Sequence, residues 1–508
     1  MRARASVETE SMPAGPTHPD IVLGMSRADA ATRSDTDRLR TIVIAGGICW
    51  SVIFIVIGIR YELQMYGDGA MFSYSVAVQD AWGFHWHNIS GRLTVYLLSL
   101  LPAEAYVGLT GDPGGGIIVY GFLFFVAPFL GLIATLAADR SKGRIIFGYA
   151  CFSTACLCPL VFGFPTEMWM AHALFWPTLA VAHYARRTIG GTTLLFALLL
   201  MLILTHEGAL VLAAAIVATL LLRGLRDKVF LRGAGALLVA VSIWAAVKLI
   251  FPPSDYFAAV IVRAALDFFD LSIFTSYLVL LLFGTIASYG VVFLVLARLA
   301  PAKAHIYAAS IVAVALAAYW IWADHGLHAA DRYYLRTILV IVAPLLGVLA
   351  AAHALRASDR RVLPILDPAR VMTVPSSRTI ARAIVGAFLL VMLVHAVEIA
   401  KFVMAWTKYK AAVAALATGA ASDPSLGDPH FVSSDRIGAD RNRLSWFSTT
   451  PYLSVVVAKF APTRLVVDPR ANNYFWLSCK TATANLKADR AVPTEGRRLV
   501  RVNACLHR

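Results

Sequence analysis

Long apolar stretches recur along most of the chain, and they limit what it can fold into. A helix that crosses a bilayer needs about 20 apolar residues, and about eleven apolar stretches, of which 192–205 is the shortest, are candidates. Apolar side chains make up 59% of the 508 residues and charged side chains only 15%. A soluble domain carries about a quarter charged residues. The sequence therefore predicts an all-α polytopic membrane protein, with the lipid bilayer as its surroundings.

The distribution of lysine and arginine predicts the topology of these spans. The amphipathic stretch 93–109, which contains Pro102, fits either a span or helices that lie on the membrane. If it does not cross, the basic loops lie on the side of the N-terminus, which the positive-inside rule places in the cytoplasm. We then expect about eleven spans, an external C-terminus and a large first external loop at 61–115. The predicted spans are 41–59, 116–138, 145–163, 168–184, 192–205, 207–223, 234–251, 271–297, 305–323, 336–353 and 383–405.

Composition divides the chain into three parts. Residues 1–40 are polar and are predicted to form a disordered cytoplasmic tail. Residues 41–405 form the transmembrane domain, and residues 406–508 are predicted to be a small soluble α/β domain. Within this last part, the β-branched segments 431–434, 452–458 and 465–467 are predicted to be strands. The sequence leaves undecided whether Cys479 and Cys505 form a disulfide.

The net charge of +15 raises the question of nucleic-acid binding. Most lysines and arginines before the C-terminal domain lie in short loops between apolar stretches, where such residues set topology. A nucleic-acid-binding module would instead present a basic face on a soluble domain. We therefore expect no nucleic-acid partner.

The first external loop holds the strongest candidate for a catalytic residue. Asp68 lies between Gly67 and Gly69, directly after an apolar stretch. Flanking glycines let the backbone turn sharply and keep a carboxylate accessible. The alternative is an aspartate selected because it favours turns. Asp80 is the next acid in the loop.

Other candidate binding residues lie near the ends of predicted spans. Arg92 is suited to a phosphate because its planar guanidinium is always charged; the alternative is an interfacial arginine that reaches the headgroups. Glu167 and the pair His206 and Glu207 interrupt apolar sequence, where ionisable groups are costly and are often functional. The alternative for the glutamates is contact with water at a helix end.

Two further groups are candidates with weaker patterns. Arg332 and Tyr333 follow the polar loop that begins at Asp324, where Arg332 could bind a lipid phosphate or anchor the helix among headgroups. His87 belongs to a His-Trp-His sequence, but no spacing rule makes a metal site of it. We assign no metal ligand and no certain cofactor, and a requirement for a divalent cation stays open.

This layout resembles the C-type (GT-C) superfamily of polyprenyl-phosphate-sugar-dependent membrane glycosyltransferases. Asp68 stands where those enzymes carry an acid early in the first external loop, and 93–109 would be their membrane-parallel helices. Gly91 and Arg92 resemble a pair that follows this acid in several bacterial families. Many members have two adjacent acids, whereas Asp80 here lies well downstream.

The resemblance implies a function and a location. A sugar would pass from a polyprenyl-phosphate donor to a glycolipid, polysaccharide or protein acceptor, with inversion, at the periplasmic face of a bacterial inner membrane. Asp68 would be the base, and Arg92, Arg332 or both would neutralise the departing phosphate. The alternatives are a secondary transporter or flippase for a polar or lipid-linked substrate and, third, a non-enzymatic assembly protein. A transporter would favour paired inverted repeats and a midplane site, and the sequence shows no such halves.

Overall fold

A computed structural model describes most of the chain. The described residues are 27–82, 92–158, 167–250, 262, 266, 276–327, 331–358, 378–419, 431–438, 443–446, 449–460 and 464–468. For 27–36, 331–337, 378 and 380 only the backbone is described. His87, Cys479 and Cys505 lie outside these residues.

The described part is mostly helical, as the sequence predicts. Its helices, in chain order, are α1 (Arg27–Arg60), α2 (Asp68–Ala77), α3 (Leu93–Thr110), α4 (Pro113–Ala138), α5 (Ile145–Leu157), α6 (Met168–Tyr184), α7 (Ile189–Ile203), α8 (Ala209–Leu220), α9 (Lys228–Ile250), α10 (Tyr277–Leu299), α11 (Ala304–Trp322), α12 (Asp331–Arg356), α13 (Arg378–Gly419) and α14 (Thr450–Val457). Short 3₁₀ turns occupy Leu63–Met65, Leu221–Arg223 and Ser434–Ile437.

Eight helices of the described part are long and apolar enough to cross a membrane. They are α1, α3, α4, α9, α10, α11, α12 and α13, while α5, α7 and α8 are apolar but shorter. Helix α3 has the lowest mean hydropathy of the eight and is π-helical over Tyr96–Leu100. By length and composition α3 qualifies as a span, so the count of about eleven spans and the orientation stay predictions.

The membrane-domain helices pack around α1, α4 and α6. Helix α1 packs against α4, α5 and α13, and α4 packs against α6. Trp169 of α6 is fully buried, with its ring 4.1 Å from that of Phe54 and 5.9 Å from those of Phe124 and Phe125. These rings fix the start of α6, directly after Glu167.

Glycines permit the closest helix approaches. A Cβ atom at Gly131 of α4 would lie 2.5 Å from the carbonyl oxygen and 2.8 Å from the Cα atom of Ala173 in α6. A Cβ atom built at Gly284 of α10 would have no other atom within 4 Å.

We expect Gly131→Ala to cost about 1–3 kcal/mol because overpacking forces the backbones apart. Gly284→Ala is the matched control and should be neutral or stabilising by up to about 1 kcal/mol. Thermal unfolding in detergent measures both, and equal unfolding temperatures would contradict this account of the α4–α6 contact.

Two predicted boundaries are wrong because helix propensity extends beyond the apolar stretches. Helix α1 begins at Arg27 and so includes 27–40, which composition assigned to a disordered tail. Helix α13 is 42 residues long and runs past residue 406 to Gly419. Both extensions are rich in alanine, and lengthening an existing helix needs no new nucleation. At 1.5 Å per residue, α13 is about 60 Å long, roughly twice the hydrocarbon thickness.

The C-terminal module, made of β1 (Phe431–Ser433), α14 and β2 (Leu465–Val467), sits on the projecting part of α13. The two strands are parallel, with Phe431 opposite Leu465. The strands predicted at 431–434 and 465–467 are confirmed. The strand predicted at 452–458 is wrong, because Thr450–Val457 is helical. Pro451 in its first turn favours a helix start. Burial of this segment against α2 explains why β-branched residues accept a helix here.

The C-terminal module contacts the helix that begins at Asp68. The Tyr74 ring of α2 lies 5.6 Å from the Tyr452 ring and 6.4 Å from the Phe460 ring. The Lys410 ammonium of α13 also forms an ion pair with Glu62, just before α2. The segment from Glu62 through α2 is therefore held between the membrane helices and this module.

Candidate functional site

Arg92, at the start of α3, binds two carboxylates that are distant in sequence. Its Nη1 donates to Glu167 Oε1 at 2.7 Å. Its Nε and Nη2 donate to Glu207 Oε2 at 3.1 Å and 2.8 Å. The Glu167 side chain is 2% exposed and that of Arg92 is 11% exposed. The planar fork of arginine suits such contacts, and the charge on each partner strengthens them.

Lys248, in the last turn of α9, completes this arrangement. Its Nζ donates to Glu207 Oε1 at 3.1 Å, so both oxygens of Glu207 are bound by cations. We call Arg92, Glu167, Glu207 and Lys248 the Arg92 network; its two cations balance its two carboxylates. Sequence reasoning missed Lys248, although an ionisable group in an otherwise apolar span is a usable signal.

The turn between α7 and α8 brings Glu207 to Arg92. Thr94 donates its backbone N–H to the Leu204 carbonyl at 3.1 Å and its hydroxyl to the Met201 carbonyl at 2.7 Å. These bonds dock the start of α3 on the end of α7. Within the turn, the Gly208 N–H donates to His206 Nδ1 at 3.0 Å, which fixes the orientation of the imidazole ring.

The contacts in this network shift the pKa values of both glutamates, which lie just before the helices that begin at Met168 and Ala209. Burial alone would raise the pKa of Glu207, but Arg92, His206 and Lys248 outweigh it and hold that pKa below its usual range. Burial likewise opposes ionisation of Glu167, and Arg92 and His206 lower its pKa. The two carboxylates in turn raise the pKa of Arg92, against the effect of its burial. All three groups are therefore charged at neutral pH.

These shifts predict acid lability. A carboxyl group with a lowered folded-state pKa stabilises the fold above its unfolded pKa, about 4.3 for glutamate, and this stabilisation is lost as the pH falls further. We expect the unfolding temperature to drop as the pH falls from about 5 to about 3. Glu207→Gln should show a smaller drop over that range, measured by thermal unfolding at fixed ionic strength. A variant that lost as much as the wild type would assign the lability to other groups.

Asp68 is the first residue of α2. Gly67 before it has φ +59° and ψ −130°, a conformation that side-chain-bearing residues rarely adopt, so the sharp turn requires glycine. A carboxylate in the first helical turn is favoured by the helix dipole. Asp68 is half-buried and therefore keeps partial access to solvent.

Tyr120 of α4 connects Asp68 with the Arg92 network. Its hydroxyl interacts electrostatically with both Glu167 and Asp68, so the two carboxylates lie near the same phenol. Tyr120 itself is fully buried. Residues from α2, α4, the start of α3 and two helix-connecting segments thus meet in one region, which we take as the candidate site.

The structure brings together five of the eight residues that the sequence singled out. Arg92, Glu167, His206 and Glu207 interact directly or electrostatically, and Asp68 is linked to them through Tyr120. His87 lies outside the described residues. Arg332 and Tyr333 lie in the first turn of α12, where only the backbone is described. Two turns later Val340 of the same helix lies beside Gly208, 3.2 Å from a Cβ built there, so α12 borders the site.

A second group of charges, the Lys401 cluster, lies between α10, α11 and α13. Lys401 Nζ donates to Asp324 Oδ2 at 2.7 Å and to Glu398 Oε1 at 3.2 Å. The Tyr277 hydroxyl donates to Asp324, and Trp320 Nε1 donates to Glu398 at 3.1 Å. These residues come from helices other than those that supply the Arg92 network, and we treat the cluster as separate.

Metal binding is a question that the candidate site leaves open. The described residues contain no group of three or more His, Cys, Asp or Glu side chains placed to hold a metal ion. His87, the histidine weighed as a metal ligand, is outside that part. No step below is assigned to a metal.

Comparison with protein-family models, with curated proteins and with solved structures finds no match for this chain. Nothing about its activity is therefore transferred from a relative. The similarity in layout to C-type glycosyltransferases remains an expectation, and the function has to be inferred from the chain's own residues.

Proposed function

We propose that this chain is a membrane glycosyltransferase that transfers a sugar from a polyprenyl-phosphate donor to a hydroxyl of a glycolipid, polysaccharide or protein. The observation that carries the proposal is the half-buried Asp68 at the turn before α2, close to the buried Tyr120 that also interacts with Glu167. A carboxylate that keeps some solvent access, close to the hydrogen-bonded side chains of the Arg92 network, is suited to act as a general base. Eight helices with the length and composition to cross a bilayer supply the setting that a lipid-linked donor needs.

The proposed reaction is a single displacement. The Asp68 carboxylate accepts the proton of the acceptor hydroxyl while the acceptor oxygen bonds to the anomeric carbon. The bond from that carbon to the phosphate oxygen breaks, and its electron pair leaves with the polyprenyl phosphate. Attack opposite the leaving group inverts the anomeric configuration. The active face would be periplasmic in a bacterial inner membrane, with the N-terminus in the cytoplasm.

The contacts of Arg92 support a positioning role in addition to the phosphate-binding role that the sequence suggested. Its Nε and both terminal nitrogens already donate to Glu167 and Glu207. We propose that Arg92 holds these glutamates in place, where Glu207, whose side chain is 18% exposed, orients sugar hydroxyls together with His206. Charge on the leaving phosphate would then be met mainly by Arg332, which precedes Tyr333 in the first turn of α12.

The test is donor consumption by purified protein in liposomes, with polyprenyl-phosphate-linked hexoses and pentoses and with lipid and polysaccharide acceptors. We expect glycosylated acceptor and free polyprenyl phosphate to appear in equal amounts. Saturable flux of substrate across the liposome membrane with no product would favour a transporter or flippase. Such a result would make the buried charges of the Lys401 cluster the candidate transport pathway, since ionisable groups within a membrane domain often mark such pathways.

A further inference from the structure

Two buried polar side chains near Asp68 have no hydrogen-bond partner in the described part of the chain. They are Gln64, whose amide nitrogen and oxygen are both unpaired, and Tyr120, whose hydroxyl is unpaired. Both residues are 0% exposed. Buried polar groups are nearly always paired, and an unsatisfied one costs about 1–3 kcal/mol. Two such residues in one place call for an explanation.

Both side chains lie where α4 packs against the segment around Asp68, and the Tyr120 ring is 6.1 Å from the Phe72 ring of α2. Gln64 lies in the 3₁₀ turn just before Asp68, packed against Gly121, where an added Cβ would be 2.8 Å from its amide carbon. Tyr120 is the adjacent residue of α4, and its hydroxyl interacts electrostatically with Asp68 and Glu167. Gly121 has no side chain, which is what allows Gln64 to approach α4 this closely.

The chemistry of these groups indicates the class of ligand. An amide and a phenol are neutral, and together they offer donors and acceptors, the pattern that matches hydroxyl groups. Two nearby carboxylates, Asp68 and Glu167, would disfavour an anion such as phosphate at this point. A cation would be held more firmly by those carboxylates than by a neutral amide and a phenol. A polyhydroxylated, uncharged ligand fits all three observations.

We infer that Gln64 and Tyr120 form a subsite beside Asp68 that hydrogen-bonds the hydroxyl groups of a sugar ring. The inference rests on the proposed function for the identity of the sugar, which is the one carried by the polyprenyl-phosphate donor. Neither side chain has solvent access in this structure, so ligand entry requires the segment from Leu63 through α2 to move away from α4. Pairing with the ligand would recover the free energy lost by burying these groups unpaired.

Tyr289 provides a matched control within the same chain. Its hydroxyl is also buried and unpaired among the described residues, and it lies against Gly386. Tyr289 packs with α11 and α13 residues in a separate apolar cluster. Removing its hydroxyl tests the effect of losing an unpaired phenol away from the site.

The experiment compares Tyr120→Phe, Gln64→Met and Tyr289→Phe. Because each variant removes an unpaired polar group, all three should keep or raise the unfolding temperature of the ligand-free protein. Only the first two should lower kcat/KM, by about tenfold each, which is the effect of about 1.4 kcal/mol of lost hydrogen bonding in the transition state. A fall in unfolding temperature for Tyr120→Phe but not Tyr289→Phe, or unchanged turnover in both site variants, would overturn the inference.

A binding measurement separates this inference from the proposed function. Wild type should bind polyprenyl-phosphate-sugar more tightly than polyprenyl phosphate, and Tyr120→Phe and Gln64→Met should reduce that preference about tenfold. The same preference without turnover would overturn the transferase and keep the subsite. Turnover with equal binding of the two lipids would keep the transferase and overturn the subsite, and binding of neither lipid would overturn both.

Discussion

Asp68→Asn is expected to reduce sugar transfer by about 10²–10⁴-fold, the usual contribution of a general base. Asparagine keeps the size of the side chain but cannot accept the acceptor proton. The change is at the first residue of α2 and leaves Gly67, which sets the turn, in place. The measurement is the initial rate of product formation at saturating donor, with unfolding temperature as the check on folding.

Asp80→Asn is the control for this variant. Asp80 is the next acid after Asp68 in the first loop, is half-buried like Asp68, and acts on Tyr74 instead of Tyr120. Its substitution should change the rate less than about threefold, an effect below 1 kcal/mol. If Asp68→Asn remained active and well folded, the base would have to be sought at Glu167 or Glu207. An equal loss in the two variants would point to a general disturbance of the loop.

Arg92→Met should destabilise the fold by about 3–5 kcal/mol, the usual result of removing one partner from a buried ion pair. Methionine retains much of the apolar volume of the arginine, so the main loss is the charge that both Glu167 and Glu207 need. Glu167 suffers most, because Arg92 is the one cation that forms an ion pair with it among the described residues. Thermal and denaturant unfolding at neutral pH measure the effect.

Two companion variants identify the cause of that loss. Arg92→Met combined with Glu167→Gln removes the uncompensated carboxylate and should recover at least about 1–2 kcal/mol, because a neutral amide is cheaper to bury. Arg187→Met is the control for a surface pair, since Arg187 is 57% exposed and lies 3.8 Å from Asp227; it should cost less than about 1 kcal/mol. Equal losses in Arg92→Met and Arg187→Met would contradict the structural importance assigned to the Arg92 network.

The sequence predicted the membrane helices well because each depends on local composition. The helix at Met168–Tyr184 has the predicted bounds, and α7 and α8 are separate helices, as the predicted spans 192–205 and 207–223 require. Helix ends were harder to predict. Alanine-rich extensions continue α1 and α13 beyond their apolar stretches, and tertiary burial makes a helix of the β-branched segment at 450–457.

The partners within the site could not be predicted from one sequence. Arg92 is separated by 75 positions from Glu167 and by 115 from Glu207, and no local pattern relates residues at such distances. Composition suggested that each residue was unusual in its place, without showing that they bind one another. Gln64 and Tyr120 carried no signal at all, because a lone glutamine and a lone tyrosine near a helix end are common. Their interest comes from being buried and unpaired next to Asp68.

The anomeric configuration of the product tests the central claim most directly. Purified protein in liposomes would be given a polyprenyl-phosphate-sugar of known configuration and its acceptor, and the new glycosidic linkage would be assigned by NMR. A single displacement with Asp68 as base predicts an inverted linkage in every product molecule. A retained linkage would require a covalent glycosyl-enzyme or another two-step route and would contradict the mechanism.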